Sequence, residues 1–277
     1  MVACHTERTT TRDSIWCAIE TGAIRTRTKR SVVTFFIALI AFSLAAEAQR
    51  SHRRSSRAAT PCPGVHDIRD CADEGCGGDP ELNKRKNIQS DEQASTLQSI
   101  AWMKALPDPT DFTADNRNRD ELRQIGEGKK ITVVAWAMVA RKGGKETCNC
   151  KLSTPKDTDN HIVLVDPAVE NPTLVADEDD SETAEFTPRV RLDHAKFSRD
   201  NLEPLIDPDW KVHKKSEGKL LVRVTGLLLF DSEHFLGNHL HRHNNWEIHP
   251  VLKLEYCPEG ETCRPDSDEN WKDIESE

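Results

Sequence analysis

Apolar and polar positions alternate most clearly in the second half of the chain, where five stretches read as β-strands. Residues 130–141 (KITVVAWAMVAR) form a Val- and Ile-rich run with little charge, the pattern of a long strand buried on much of both faces. Residues 160–166 (NHIVLVD) and 184–192 (AEFTPRVRL) follow. Pro188 places the latter strand at an edge or a bulge, because proline has no N–H to give to a ladder. Residues 219–230 (KLLVRVTGLLLF) are the most apolar of the five. In residues 245–256 (NWEIHPVLKLEY), Trp246, Ile248, Leu252 and Leu254 stand against the more polar Glu247, His249, Lys253 and Glu255. Between the third and fourth stretches, Phe197, Leu202, Leu205 and Ile206 suit a short helix that Pro204 weakens.

Upstream the period changes. Ser90, with Gln93 three residues on, reads as a capping box opening an amphipathic helix through Leu97, Ile100, Trp102, Met103 and Leu106, which Pro107 and Pro109 end. A second short helix is predicted over 120–125, before Gly126 and Gly128. Three strands, a helix and two strands is the segment order of the OB-fold, a five-stranded Greek-key barrel, and Gly226 within the fourth strand suits a strand that must coil sharply. An unrelated β-sandwich is the competing arrangement, since strand order is not written in one sequence. The expected organisation is a signal peptide over 1–48, a linker and Cys-rich loop over 49–88, a helical extension over 89–128, the OB-like barrel over 129–257 and an acidic tail over 258–277.

The one long apolar run, residues 32–46, is too short for a membrane span and follows Arg25, Arg27, Lys29 and Arg30. With Ala46-Glu47-Ala48 behind it, this reads as an export signal cut after Ala48; a retained anchor helix is the other reading. Periplasmic or secreted localisation follows, with no transmembrane helix in the mature chain. The first 48 residues hold six Lys/Arg and four Asp/Glu, so their loss takes the net charge from −9 to −11. That field argues against general nucleic-acid binding, and the Ser- and Arg-rich stretch 50–57 reads as a solvated linker.

Seven cysteines remain: Cys62, Cys71, Cys76, Cys148, Cys150, Cys257 and Cys263. In an oxidising compartment they are disulfide candidates first, with Cys257 and Cys263 closing a small loop across a Pro-Glu-Gly turn. An odd number leaves at least one thiol without an intramolecular partner.

The stretches CNCKLSTPKDTDNHIVLVD, EFTPRVR, RVTGLLLFDSEH and WEIHPVLKLE, with GCGGDPELNKRKN in the leader, resemble exported bacterial OB-fold-like proteins of uncharacterised function. The resemblance implies the fold and no activity, so no residue's role is carried over from it.

In OB-folds the ligand face is bordered by the loop joining strands one and two and the loop joining strands four and five. Here the first contains Cys148 and Cys150, and the second contains His234, His239, His241 and His243 with Asp231 and Glu233. Thiols and imidazoles meeting at one end would suit Zn²⁺ or Cu²⁺, which take mixed sulfur and nitrogen ligands, although the spacing is that of no standard zinc module. A second constellation, Asp159, His161, Glu185, Arg189, Arg191, Glu247 and His249, lies in or beside strands. By alternation Arg189 and Arg191 share a face with Glu185, as Glu247 does with His249. Glu185, Arg189, Arg191, Glu247 and His249 would be the catalytic set of a hydrolase acting on a phosphodiester with a hard cation. Trp246, His161, His249 and Arg189 are the candidate ligand-binding residues, with Trp246 and Trp136 able to stack on a ring or to fill the core. The leading reading is a non-enzymatic, exported OB-fold module that binds a ligand or partner through its two-loop end, with a metal site there set against an oxidised Cys pair and a solvated His loop. The alternatives are a secreted hydrolase or nuclease and an envelope interaction protein.

Overall fold

The structure, a computed structural model, describes residues 62–213, 218–236 and 241–276. The predicted signal peptide, the Arg-rich stretch and His239 lie outside the described residues. Seven strands form one sheet: β1 (Thr96–Gln98), β2 (Lys130–Lys142), β3 (Asn160–Val165), β4 (Glu182–Phe186), β5 (Leu220–Phe230), β6 (Trp246–Tyr256) and β7 (Lys272–Asp273). The helices are short: α1 (Pro80–Lys86), α2 (Ile100–Lys104), α3 (Asp120–Ile125), α4 (Leu174–Asp177), α5 (Arg199–Ile206) and α6 (Ser232–Phe235).

Strands β2 to β6 close into a barrel in the order β2-β3-β4-β6-β5 and back to β2. Every pairing on the circuit is antiparallel except β4 with β6, which is parallel. Closure excludes the sandwich. It depends on the length of β2, which pairs with β5 through its first half and with β3 through its second, bending at a register shift between Ala137 and Val139. Gly226 does what the sequence suggests. A Cβ there would lie 2.3 Å from the Pro250 carbonyl oxygen and 2.5 Å from an Ile248 methyl, so only glycine lets β6 cross so closely where the ladder shifts register.

Alternation sorts the side chains. Ile131, Val133, Ala135, Ile162, Leu164, Ala184, Phe186, Val222, Val224, Trp246 and Ile248 join one buried core with Phe197, Leu202 and Ile206 from α5 and its approach. The intervening residues face outward. Ser198 caps α5 and Ser99 caps α2 by accepting from Asn201 N and Trp102 N.

Three expectations are corrected. The helix predicted from Ser90 begins nine residues later at its cap Ser99. Asp91, not Ser90, accepts the Gln93 N–H, and residues 96–98 run instead as a parallel strand on β2 with Leu97 46% exposed. The third barrel strand ends at Phe186 rather than Leu192. It is not at an edge, having β3 on one side and β6 on the other. Pro188 breaks the ladder just beyond it, and Thr187 Oγ1 accepts from Val190 N at 3.2 Å where a single 3₁₀ turn over Val190–Leu192 begins. The acidic tail folds back as β7 on β6, with Trp271 and Ile274 buried.

The leader is built on covalent links. Cys62–Cys76 and Cys71–Cys150 are disulfides, and the second ties the leader to the β2–β3 loop across a separation of 79 residues. Cys257–Cys263 closes the loop expected after β6. Helix α1 starts on Asp79, which caps Glu81 N and Leu82 N ahead of Pro80 in the first turn. Its buried Asn87 then donates to the Asp73 and Cys148 carbonyls at 2.9 and 3.0 Å. Among the described residues no helix is long and apolar enough to cross a membrane.

One inward position of β4 is acidic. Glu182 shares the core face of β4 with Ala184 and Phe186, is fully buried, and neither carboxyl oxygen has a hydrogen-bond partner among the described residues. Burial pushes its carboxyl up to about 9, against the pull of Arg242 and Lys104.

Two tests follow from this architecture. The double variant Cys71→Ser/Cys150→Ser is expected to lose about 2–5 kcal/mol in urea unfolding while keeping its β-type circular dichroism; an unchanged urea midpoint would show that the link does not constrain the chain. An ordinary carboxyl near 4.5 in the unfolded chain and one near 9 when folded make unfolding release a proton between those values, so Glu182 erodes stability as pH rises through that window. Glu182→Gln is therefore expected to raise Tm relative to the parent by more at about pH 8.5 than at about pH 5. A pH-independent difference would contradict the assignment.

Candidate functional site

The outer face of β3, β4 and β6 carries charge where an outer face is ordinarily wet, and the charge is buried. The register sets Arg141, His161 and Glu185 abreast across β2, β3 and β4, while the parallel pairing brings Glu247 opposite Thr183 on the far side of β4. Two residues along β6, His249 then points the same way as Glu247. The leader and the β2–β3 loop lie over this row: Glu146, Cys148 and Asp159 come from the loop, and Lys86 from α1. The β5–β6 loop contributes Asp231, His234 and Arg242.

Glu185 is central. Its Oε1 lies 3.5 Å from His161 Nε2 and its Oε2 lies 3.1 Å from His249 Nδ1. His161 Nε2 is also 3.7 Å from Glu146 Oε1, and Glu146 Oε2 receives Lys86 Nζ at 3.1 Å. His249 Nδ1 also contacts Glu247 Oε1 at 3.1 Å. Arg242 pins Glu247 and Asp231 together at 2.6 and 2.9 Å, and Asp231 also holds the His234 imidazole. Asn149 Nδ2 donates to Asp159 Oδ1 at 3.1 Å, while Asp159 Oδ2 and His249 Nε2 have no hydrogen-bond partner among the described residues.

Five carboxylates (Glu146, Asp159, Glu185, Glu247 and Asp231) thus share one patch with two permanent cations, Lys86 and Arg242. Protons on the imidazoles make up the difference. Burial opposes charge on His249, but Glu185 and Glu247 hold its pKa up at about 10; His161, against the same penalty, is held at about 9 by Glu185 and Glu146. Burial would raise Glu185, yet those two imidazoles bring it down to about 2. Asp159 goes the other way, to about 7, because burial and the neighbouring Glu146 and Glu185 all disfavour its charge. Each such proton is one that a bound cation can replace.

Three overlapping sets of donors stand within 4.8 Å of one another: Glu146, His161 and Glu185; Glu146, Cys148 and Asp159; and Asp159, Glu185 and His249. The three carboxylates Glu146, Asp159 and Glu185 are thus linked pairwise, each pair sharing one softer donor. Such mixed oxygen and imidazole sets suit Zn²⁺ or Mn²⁺ better than a soft cation. The first set is open to solvent, and with Lys86, Asp231 and Arg242 it lines a cleft of about 190 Å³.

Comparison with protein-family models, with curated proteins and with solved structures finds no match for this chain. What the site does must come from its own geometry.

The residues proposed from sequence are only partly brought together. His161, Glu185, Glu247, His249 and Asp159 converge. Arg189 and Arg191 do not, because the strand that would have carried them has ended. Arg189 is buried against the Cys71 carbonyl and Asp73, and Arg191 braces the β2–β3 loop through the Pro155, Lys156 and Thr158 carbonyls. Trp246 fills the core, edge-on to Phe230 with ring centroids 5.0 Å apart, and its Nε1 donates to the Pro107 carbonyl. Lys219 covers the Trp136 ring at 4.6 Å.

The sulfur and imidazole set is also dispersed. Cys150 is in a disulfide, whereas Cys148 is the free thiol among the described residues, buried 3.4 Å from Glu146 Oε2. His234 and His241 line the cleft, with His241 paired to Asp179, and His243 pairs with Asp180. Glu146, Lys86 and Arg242 were not foreseen. Glu146, two residues before Cys148 in the singled-out loop, was findable; nothing local marks Lys86.

Arg242→Met would leave Glu247 and Asp231 buried without their guanidinium. It is expected to cost about 3–5 kcal/mol in urea unfolding, part of it recovered by Arg242→Lys. A loss below about 1 kcal/mol would mean that these carboxylates are not held as buried charges.

Proposed function

We propose that this chain is an exported barrel of the OB type that binds a divalent cation through Glu146, His161 and Glu185 and presents it to a small ligand in the adjoining cleft. The strand circuit β2-β3-β4-β6-β5, with α5 between β4 and β5 in the chain, supports the OB assignment. The cleft lies where such barrels take ligands, beside the loops joining the first to the second strand and the fourth to the fifth. Three disulfides favour an oxidising compartment, in line with the export signal read in residues 1–48.

The observation that carries the reading is the convergence of Glu146, His161 and Glu185 within 4.8 Å at the cleft, two of them partly exposed, so that an ion held there keeps a face toward solvent. Metal-stripped protein titrated calorimetrically with Zn²⁺ or Mn²⁺ is expected to bind, and His161→Gln or Glu185→Gln to weaken binding at least about tenfold. His243→Ala, outside the set, is expected to bind as the parent does. Absence of binding by the parent, or equal loss from His243→Ala, would refute the site.

A second reading is hydrolysis. It is favoured by the Asp231–His234 pair on the cleft wall, where Asp231 raises the imidazole pKa against partial burial, so that His234 would be a proton donor to a ligand in the cleft. A cation held by Glu146, His161 and Glu185 with a position left open would lower the pKa of its water and so supply the nucleophile. Turnover of a phosphodiester probe with Zn²⁺, Mn²⁺, Mg²⁺ or Ca²⁺, lost in His234→Ala, distinguishes this from binding alone.

A further inference from the structure

We propose that a second divalent cation binds behind the first, held by Asp159, Glu185 and His249, and that Glu185 bridges the two ions into one dinuclear centre. The proposal rests on the cation reading of the cleft and adds a site that the cleft itself does not require.

The two donor sets share Glu185, and its oxygens are already divided between them. Oε1 faces His161 and Oε2 faces His249, at 3.5 and 3.1 Å. Two donors each about 2.0–2.2 Å from a common ion stand roughly 3 Å apart, which the outer separation suits; on the inner side Glu185 Oε2 has no hydrogen-bond partner among the described residues, and the donors of Asp159, Glu185 and His249 stand within 4.8 Å of one another. Paired cations in hydrolytic centres lie about 3.5–4 Å from each other, a spacing a bridging carboxylate spans.

The inner set differs from the outer one in being closed. Asp159, Glu185 and His249 are 0%, 3% and 1% exposed. In such surroundings nearly every polar atom is paired, yet Asp159 Oδ2 and His249 Nε2 are not, among the described residues. Each residue is fixed by its other atom. Asn149 holds Asp159 Oδ1, and Glu247, itself clamped by Arg242, holds His249 Nδ1. Carboxylate-to-imidazole support of this kind is what orients metal-ligating histidines. Lys86 stops at Glu146 on the outer side, so no lysine or arginine is ion-paired with Asp159 or Glu185 among the described residues.

The decisive measurement is the Mn²⁺ content of the metal-stripped full-length protein after equilibrium dialysis, read by elemental analysis together with the electron paramagnetic resonance spectrum. Two ions per chain with an exchange-coupled signal are expected. His249→Gln and Asp159→Asn are each expected to hold one ion with an uncoupled signal. A parent that saturates at one ion, lost in His161→Gln and kept in His249→Gln, would overturn the inner site and leave the outer one standing. No bound ion would overturn both, and two ions without coupling would overturn the bridge. Should the inner-set variants fail to fold, the stoichiometry and coupling of the parent decide the question alone.

Discussion

Buried negative charge has to be answered, and the arrangement of this protein follows from how that is done. Five carboxylates meet on the outside of a barrel, a place where they would ordinarily be solvated at little cost. Here they are covered, and each then needs a counter-charge, a proton or a cation. Arg242 answers two of them, and Lys86 a third. Glu185 is left to the imidazolium protons of His161 and His249, and Asp159 to a proton of its own.

The cover is the leader, and its covalent design explains how so small a segment holds its place. Its apolar cluster is small and shared with the β2–β3 loop: Cys62, Ile68 and Cys71 from the leader and Cys150 and Leu152 from the loop, with Val65 and Cys76 beside them. Disulfides supply what that core lacks. Cys71–Cys150 does a second thing, since it fixes the loop that carries Glu146, Cys148 and Asp159 against the strands carrying His161 and Glu185. The same cross-link that stabilises the leader therefore sets the geometry of the donors. Arg189, buried on the Cys71 carbonyl, reinforces the joint from the barrel side.

A barrel makes this possible because closure separates two chemistries along each strand. The inward positions fill with Val, Ile, Leu, Phe and Trp246, and the outward positions of three adjacent strands are freed for Glu, His and Asp. The parallel contact of β4 with β6 is the step that matters for the site. It carries the chain's last long strand beside its shortest barrel strand, so that His249 reaches Glu185 across 64 positions of sequence. Glu182 shows the contrast within one strand. It faces inward, has no hydrogen-bond partner among the described residues and is held in its acid form, while Glu185, three residues on and facing out, is held ionised.

Much of this was legible before any coordinates. Five strands, their order relative to a helix, Gly226 as a point of close approach and the Cys257–Cys263 loop all follow from local rules of alternation, turn chemistry and covalent spacing, which act between neighbours in sequence. So did the grouping of Glu247 with His249, since residues two apart on a strand share a face. What sequence could not decide was long-range. Pro188 was visible, but whether the chain bulged or left the sheet there depended on its partners, and with that choice Arg189 and Arg191 left the site. The two cysteines of the β2–β3 loop look equivalent in sequence; only the position of Cys71 makes one a disulfide and the other a thiol. Lys86 and Glu146 enter the site from segments with no periodic signal, brought there by a cross-link and a loop. Local pattern determined the barrel and its alternating faces, because those depend on each residue's own backbone geometry. Tertiary structure alone decided which charges are buried together, because burial depends on what lies on top.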